Sequence, residues 1–341
     1  MIAGHPASFA SRRWSQDECR RPINFVSVTT AELHKIIVIC GPTGVGKTGF
    51  AIELARRFNG EIVGADSMQI YRHMTIGTAK PTAEERAAAI HHMVDVVDPQ
   101  EEFDAAEYDR RAAACVSALI AEGKQPFVVG GTGLYIKALI YGLTRAAQSD
   151  DKIRASLKAQ LESLGTQAMH DRLAEADPVS ARRIHPNDAF RILRALEVFE
   201  ITGRPISAHH DEHQFSRARF DALHIGLTLP RPQLYARIDQ RVDAMLAQGL
   251  MDEVRSLLTR GLHPGLKSMQ SLGYRHMIGY LQGSLEWDET LRTLKRDHRR
   301  YAKRQLTWFR ADGQVHWLQP DQLTEAIALI QEFLNTTANL Y

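Results

Sequence analysis

The sequence reads as an α/β protein: a parallel sheet flanked by helices, interrupted by an all-helical insertion. Three observations predict this. Short β-branched apolar runs alternate with helical segments, the pattern of βαβ units. A glycine-rich loop joins the first such run to a helix. Residues from about 150 to 215 carry helical periodicity and no convincing strand.

The ordered chain begins near Lys35. Ile36-Ile37-Val38-Ile39-Cys40 is apolar throughout and bounded by Gly41-Pro42, as in a strand buried on both faces. A helix is expected over Lys47–Phe58, stopped by Asn59-Gly60. Glu61–Ala65 is a second strand, ending at Asp66-Ser67. Ala105–Glu122 reads as a helix and Pro126–Val129 as a third strand, ending at Gly130-Gly131. In the insertion, helices are expected over Lys152–Leu164, Thr166–Ala176, Pro178–Ile184 and Asp188–Thr202. Strand character returns over Leu223–Leu229. Helices follow over Leu234–Gln248, Met251–Arg260 and Thr290–Phe309, then a strand at Val315–Leu318 and a closing helix from Leu323. The expected layout is an N-terminal extension (1–33), a core (34–148 and 218–341) and a helical insertion (149–217).

At 341 residues the length suits about two domains. Hydrophobic residues make up 44% and charged residues 24%, which excludes a disordered, collagenous or coiled-coil chain. No apolar run reaches the ~18 residues of a membrane span. Cys19, Cys40 and Cys115 stand far apart, so neither a disulfide scaffold nor a structural zinc site is expected. The extension carries Arg12, Arg13, Arg20 and Arg21 without an apolar core, unlike a secretory signal, and reads as a disordered tail.

Gly41-Pro42-Thr43-Gly44-Val45-Gly46-Lys47-Thr48 matches GxxxxGK[ST], between a buried strand and a helix. Its glycines let successive amides point inward as an anion nest, and the helix N-terminus adds partial positive charge. Lys47 supplies a mobile cation and Thr48 a hydroxyl for Mg²⁺. The motif makes the fold P-loop NTPase-like and implies a bound di- or triphosphate. An ATPase also needs an acid at another strand end. The third strand ends instead in Gly130-Gly131-Thr132-Gly133, which weakens that reading. Asp66 stands at the end of the second strand, where open sheets bind ligands. It reads equally as a turn residue or as a general base.

Several motifs now agree. GPTGVGKT, DSMQIYR (66–72), IGTAKP (76–81), HHMVD (91–95) and GGTGLY (130–135) occur in order. RIHPNDAFRILRALEV (183–198), SLGYR (271–275) and KRQLTWFR (303–310) follow. The chain resembles the bacterial tRNA dimethylallyltransferases (IPP transferase family) over about residues 35 to 320. The zinc finger of eukaryotic relatives is missing from the Cys and His spacing.

The resemblance implies transfer of a dimethylallyl group from dimethylallyl diphosphate to N6 of adenosine 37 in tRNA, beside the anticodon, with release of diphosphate. It implies a cytoplasmic monomer with Mg²⁺, no membrane and the anticodon stem-loop as partner. Asp66 is then the base for the N6 proton, and Thr43 and Arg241 act on the diphosphate with the 41–48 loop. Implied tRNA contacts are Asp66, Ser67, Met68, Gln69, Thr132 and Arg154. Further contacts are Phe190, Arg191, Ile192, Leu193 and Arg194, with Gln270, Ser271, Leu272, Gly273, Tyr274 and Arg275. The last segment is Lys303, Arg304, Gln305, Leu306, Thr307, Trp308, Phe309 and Arg310. Taken singly, Phe190 and Trp308 read as core residues, and Arg241 equally as a solvated helix residue.

The net charge of +2 conceals segregation. Arg292 to Arg310 holds eight basic residues against one acid, Asp297, a local charge of +7. Lys295, Arg299 and Lys303, with Arg296, Arg300 and Arg304, form two adjacent rows at spacing four. Acids at i,i+4, usual on a solvated helix, are nearly absent, so a phosphate-binding face is expected. Competing readings are a small-metabolite kinase on the same cradle, a non-catalytic nucleotide- or RNA-binding protein, and an enzyme prenylating free AMP or ATP.

Overall fold

Ile36, Ile37, Val38 and Ile39 are all fully buried, alternating between apolar clusters on the two faces of one sheet. That alternation explains why this strand is apolar at every position. The structure, a computed structural model, describes residues 33–143, 150–213 and 218–336. The N-terminal extension, save its last residue, lies outside the described residues.

The order is β1 (Lys35–Cys40), α1 (Lys47–Arg57), β2 (Gly60–Gly64), α2 (Ala83–Ala88), β3 (His91–His92), α3 (Ala105–Ala121), β4 (Gln125–Gly130) and α4 (Gly133–Tyr141). Then come α5 (Asp151–Ala176), α6 (Pro178–Arg183), α7 (Ala189–Thr202), α8 (Ile206–His213), β5 (Asp221–Leu227), α9 (Arg231–Ala247) and α10 (Leu250–Thr259). The chain closes with α11 (Tyr274–Leu281), α12 (Trp287–Arg310), β6 (His316–Leu318) and α13 (Leu323–Asn335). The six strands are parallel, in the order β3-β2-β4-β1-β5-β6. Val38 pairs with Val128 on one side and His224 on the other. Between β1 and β4 the chain works to one side of β1; β5 then resumes on the other. The loops after β1 and β4 therefore diverge over a crevice, where such sheets bind ligands.

Helices α5 to α8 pack around their own cluster of Leu157, Met169, Leu173, Ile192 and Leu196. The break expected between Leu164 and Thr166 is a kink at Gly165 (φ 82) within α5. Four helices and one strand were not expected. α2 has a capping box, Thr82 with Glu85, but is only six residues long and buries none of them. β3 has two residues, too few for a period. α4 is apolar on nearly every side and starts inside the GGTG loop, so it lacks an amphipathic signal. α8 and α11 are eight residues each.

Candidate active site

The loop after β1 begins the site. Gly46 takes φ 105 as the residue capping α1, a conformation glycine adopts without strain. It offers no side chain to the first-turn amides of α1, and that turn holds no acid. The positive end of α1 is thus open to an anion. Lys47 Nζ donates to the carbonyls of Gly41 (3.0 Å) and Pro42 (2.8 Å). Burial, and next the charge of Arg241, pull the Lys47 ammonium down to about 8, against Asp66 and Cys40.

Arg241 reaches the same place from α9. Burial lowers its pKa, opposed by Asp66 and Glu85, and its Nε is buried without a hydrogen-bond partner. Two desolvated cations converging on one place, with Arg241 lowering the pKa of Lys47, are a receptor for an anion of more than one charge.

Asp66 follows β2. Its Oδ1 accepts from the amides of Met68 (2.8 Å) and Gln69 (3.3 Å), an Asx turn that fixes the carboxylate. The turn and the base readings are therefore compatible. Thr132, after β4, accepts from the Ser67 amide at 3.1 Å, and its hydroxyl favours the charged form of Tyr301 on α12. Burial, and next Asp66, push the Tyr301 hydroxyl up to about 12. Gln305 bridges the loops, accepting from Thr43 N (2.8 Å) and donating to Gly131 O (2.9 Å).

One cavity of about 250 Å³ has Thr43, Lys47, Thr48, Asp66, Arg241, Tyr301 and Gln305 in its wall. Its remaining wall includes Ile62, Thr78, Pro81, His91 and Val129. The sequence reading missed Tyr301. Its signal is the stripe Tyr301, Gln305, Trp308 at i, i+4 and i+7, which the charge count hid.

Other expected site residues lie elsewhere or act differently. Arg154 and Arg194 both pair with the buried Glu197 in the insertion (3.2 and 2.8 Å). Phe190 is 82% exposed and Trp308 47% exposed, so neither is a core residue. Arg191 is exposed, Leu193 half-buried and Ile192 fully buried. Gln270 and Arg275 are exposed, with Ser271 and Leu272 half-buried and Gly273 buried. Tyr274 is fully buried against Gly77 and donates to Glu253 at 2.6 Å. Phe309 is buried in the core and Leu306 half-buried. A buried side chain offers no surface to a polynucleotide, so Ile192, Tyr274 and Phe309 serve packing. Gln69 Nε2 is spent on the carbonyls of Thr78 and Ala79 (3.2 and 3.0 Å).

The basic helix needs correction. Its acids are supplied by a neighbour: Arg299 pairs with Asp239 and Lys295 with Asp243, both at 2.6 Å on α9. Asp297 serves Arg275 and Arg296 (2.8 and 2.9 Å), and Glu289 pairs with Arg292 at 2.6 Å. Counting along one helix cannot register the pairs with α9. Lys303, Arg304 and Arg310 are exposed with no acidic partner among the described residues. The free positive face is confined to the end of α12 nearest the cavity.

The model of a family described as IPP transferase matches residues 69–312. A tRNA dimethylallyltransferase of Syntrophobacter fumaroxidans is 51% identical, covering 90% of this chain and 89% of its own. One from Desulfatibacillum aliphaticivorans is 52% identical, covering 86% and 96%. The crystal structure of the Bacillus halodurans tRNA isopentenylpyrophosphate transferase is 42% identical with TM-score 0.66, covering 88% and 97%. A eukaryotic dimethylallyltransferase captured acting on tRNA is 30% identical with TM-score 0.75, covering 88% and 79%. No helix of the described residues is long and apolar enough to cross a membrane. On this fold, this cavity and these likenesses, the chain belongs to the IPP transferase family and is a prenyltransferase of the tRNA dimethylallyltransferase class.

Proposed function

We propose that the chain moves the dimethylallyl group of dimethylallyl diphosphate to N6 of adenosine 37 in tRNA. The observation that carries this reading is the convergence of Lys47, Arg241 and Asp66 on one cavity. An exocyclic purine amine is a weak nucleophile, whereas an allylic carbon ionises readily. The enzyme's task is therefore to stabilise negative charge on the departing diphosphate. Lys47, Arg241 and the amides of residues 44–48 bind it. The allylic C–O bond breaks, N6 forms the new C–N bond, and the Asp66 carboxylate accepts the N6 proton. No ATP is spent, so no strand-end acid after β4 is needed.

Among the described residues no cluster of three or more His, Cys, Asp or Glu is built to hold a metal. Mg²⁺ binds well with few protein ligands plus phosphate oxygens; Thr48 and the diphosphate fit that mode. Such an ion neutralises charge on the diphosphate oxygens.

The target base must leave the stacked anticodon loop. Lys303, Arg304 and Arg310 suit the RNA backbone, and exposed Phe190 and Trp308 suit base stacking. The helical insertion, 149–217, would hold the anticodon stem. The test supplies labelled dimethylallyl diphosphate with unmodified tRNA, AMP or ATP. Label is expected in tRNA alone. Phosphoryl transfer from ATP without prenylation, or label in AMP alone, would contradict the reading.

A further inference from the structure

Glu253 lies on α10, outside the cavity wall, yet it gathers four hydrogen bonds. Oε2 accepts from the amides of Thr75 and Ile76, both at 2.8 Å. Oε1 accepts from the Gly77 amide at 3.1 Å and from the Tyr274 hydroxyl at 2.6 Å. A carboxylate has about four lone-pair sites, so its accepting capacity is filled by donors. Burial, and next Glu253 itself, raise the Tyr274 pKa, so the hydroxyl stays a donor. The Tyr274 ring lies where a Gly77 side chain would be; a Cβ there would sit 2.4 Å from it. Two sequence motifs, IGTAKP and SLGYR, thus meet in one joint.

The joint leads to the active site. The loop from Thr75 continues to Thr78, which lines the cavity, and Ala79. Their carbonyls receive Gln69 Nε2 at 3.2 and 3.0 Å. The Gln69 backbone N–H in turn donates to Asp66 Oδ1 at 3.3 Å. Beyond Ala79, Lys80 Nζ reaches Asp95 Oδ1 and Tyr71 O, both at 2.5 Å, and fastens the far end. The loop is a strut anchored at both ends, with the Asp66 turn hung from its middle.

We infer that Glu253 is a positioning residue for the transfer, setting Asp66 through the 75–79 strut and Gln69. The inference rests on the reading of Asp66 as the base. A base displaced by a fraction of a bond length loses rate while the cation-lined diphosphate site keeps its grip.

Glu253→Gln is the first variant. Its one oxygen can serve only one side of the joint, so its NH2 faces a strut N–H, donor against donor, and the anchor is weakened. The expected result is a folded protein by circular dichroism and melting. KM for dimethylallyl diphosphate and Kd for tRNA stay near wild type, while kcat falls roughly 10- to 100-fold. In an Asp66→Ala background the same change adds nothing, because the residue it acts through is gone. Tyr274→Phe removes one hydroxyl and keeps the ring; it should show a smaller loss with the same split, and it carries the test should Glu253→Gln fail to fold.

Wild-type kcat in folded Glu253→Gln, or a loss of equal size in the Asp66→Ala background, overturns the inference and leaves Asp66 intact. Near-normal turnover by Asp66→Ala alone overturns the base assignment, and this inference with it.

Discussion

Gln305 Oε1 accepts a hydrogen bond from the Thr43 amide at 2.8 Å, although 262 positions separate them. Through Gly131 the same side chain also holds the loop after β4. Gln305 is buried, so Gln305→Ala leaves Thr43 N–H and Gly131 C=O without partners. It should cost about 1–3 kcal/mol of stability and raise KM for dimethylallyl diphosphate. Denaturant unfolding and initial rates check both. An unchanged KM would mean that the phosphate loop holds its shape unaided.

Lys47 gives a pH prediction. Its ammonium lies at about 8 because of burial and then Arg241. A bound diphosphate favours the charged form and raises this pKa. Binding therefore takes up a proton above about pH 8, and affinity, complete below that pH, weakens as pH climbs. Calorimetry at pH 8 in buffers of different ionisation enthalpy should show up to about half a proton taken up per site. Binding without proton uptake contradicts the assignment.

On α12 the two kinds of cation should separate. Removing Lys303, Arg304 or Arg310, each without an acidic partner among the described residues, should weaken tRNA binding. Each should also flatten the salt dependence by about 0.7–0.9 in log–log slope. Arg299, tied to Asp239, should leave that slope alone and change stability by about 1 kcal/mol or less, since both partners are about a third exposed. Filter binding over a salt series decides; equal slopes for all four variants would refute the division.

Phe190 is 82% exposed at the start of α7, so Phe190→Ala should shift stability by only about 0.5 kcal/mol. If it stacks on a base, tRNA affinity drops by about 1–3 kcal/mol. Unaltered affinity removes Phe190 from the interface.

What the sequence discloses is what is local. The phosphate loop and the strands around it depend on near neighbours in the chain, and their pattern survives into the fold. Asp66 was visible as a strand-end carboxylate, and its Asx turn uses only the next three residues. Interactions between distant segments were hidden. The acids serving Arg299 and Lys295 sit on α9, the partner of Gln305 is in the first loop, and Tyr274 is spoken for by Glu253. Exposure was hidden too. Phe190 and Trp308 look like core by type, and only packing shows that their surroundings do not close over them.

The most direct test of the account is single-turnover transfer of labelled dimethylallyl to tRNA by Asp66→Ala, with tRNA and diphosphate binding measured on the same protein. This change removes no donor of the cradle formed by Lys47, Arg241 and the loop amides and takes away only the carboxylate that favours both cations' charged forms, so binding of both substrates should change far less than transfer. Transfer should fall by roughly 10²- to 10⁴-fold, the share a positioned base contributes. Transfer at a near-normal rate, with the N6 proton finding another acceptor, would contradict it.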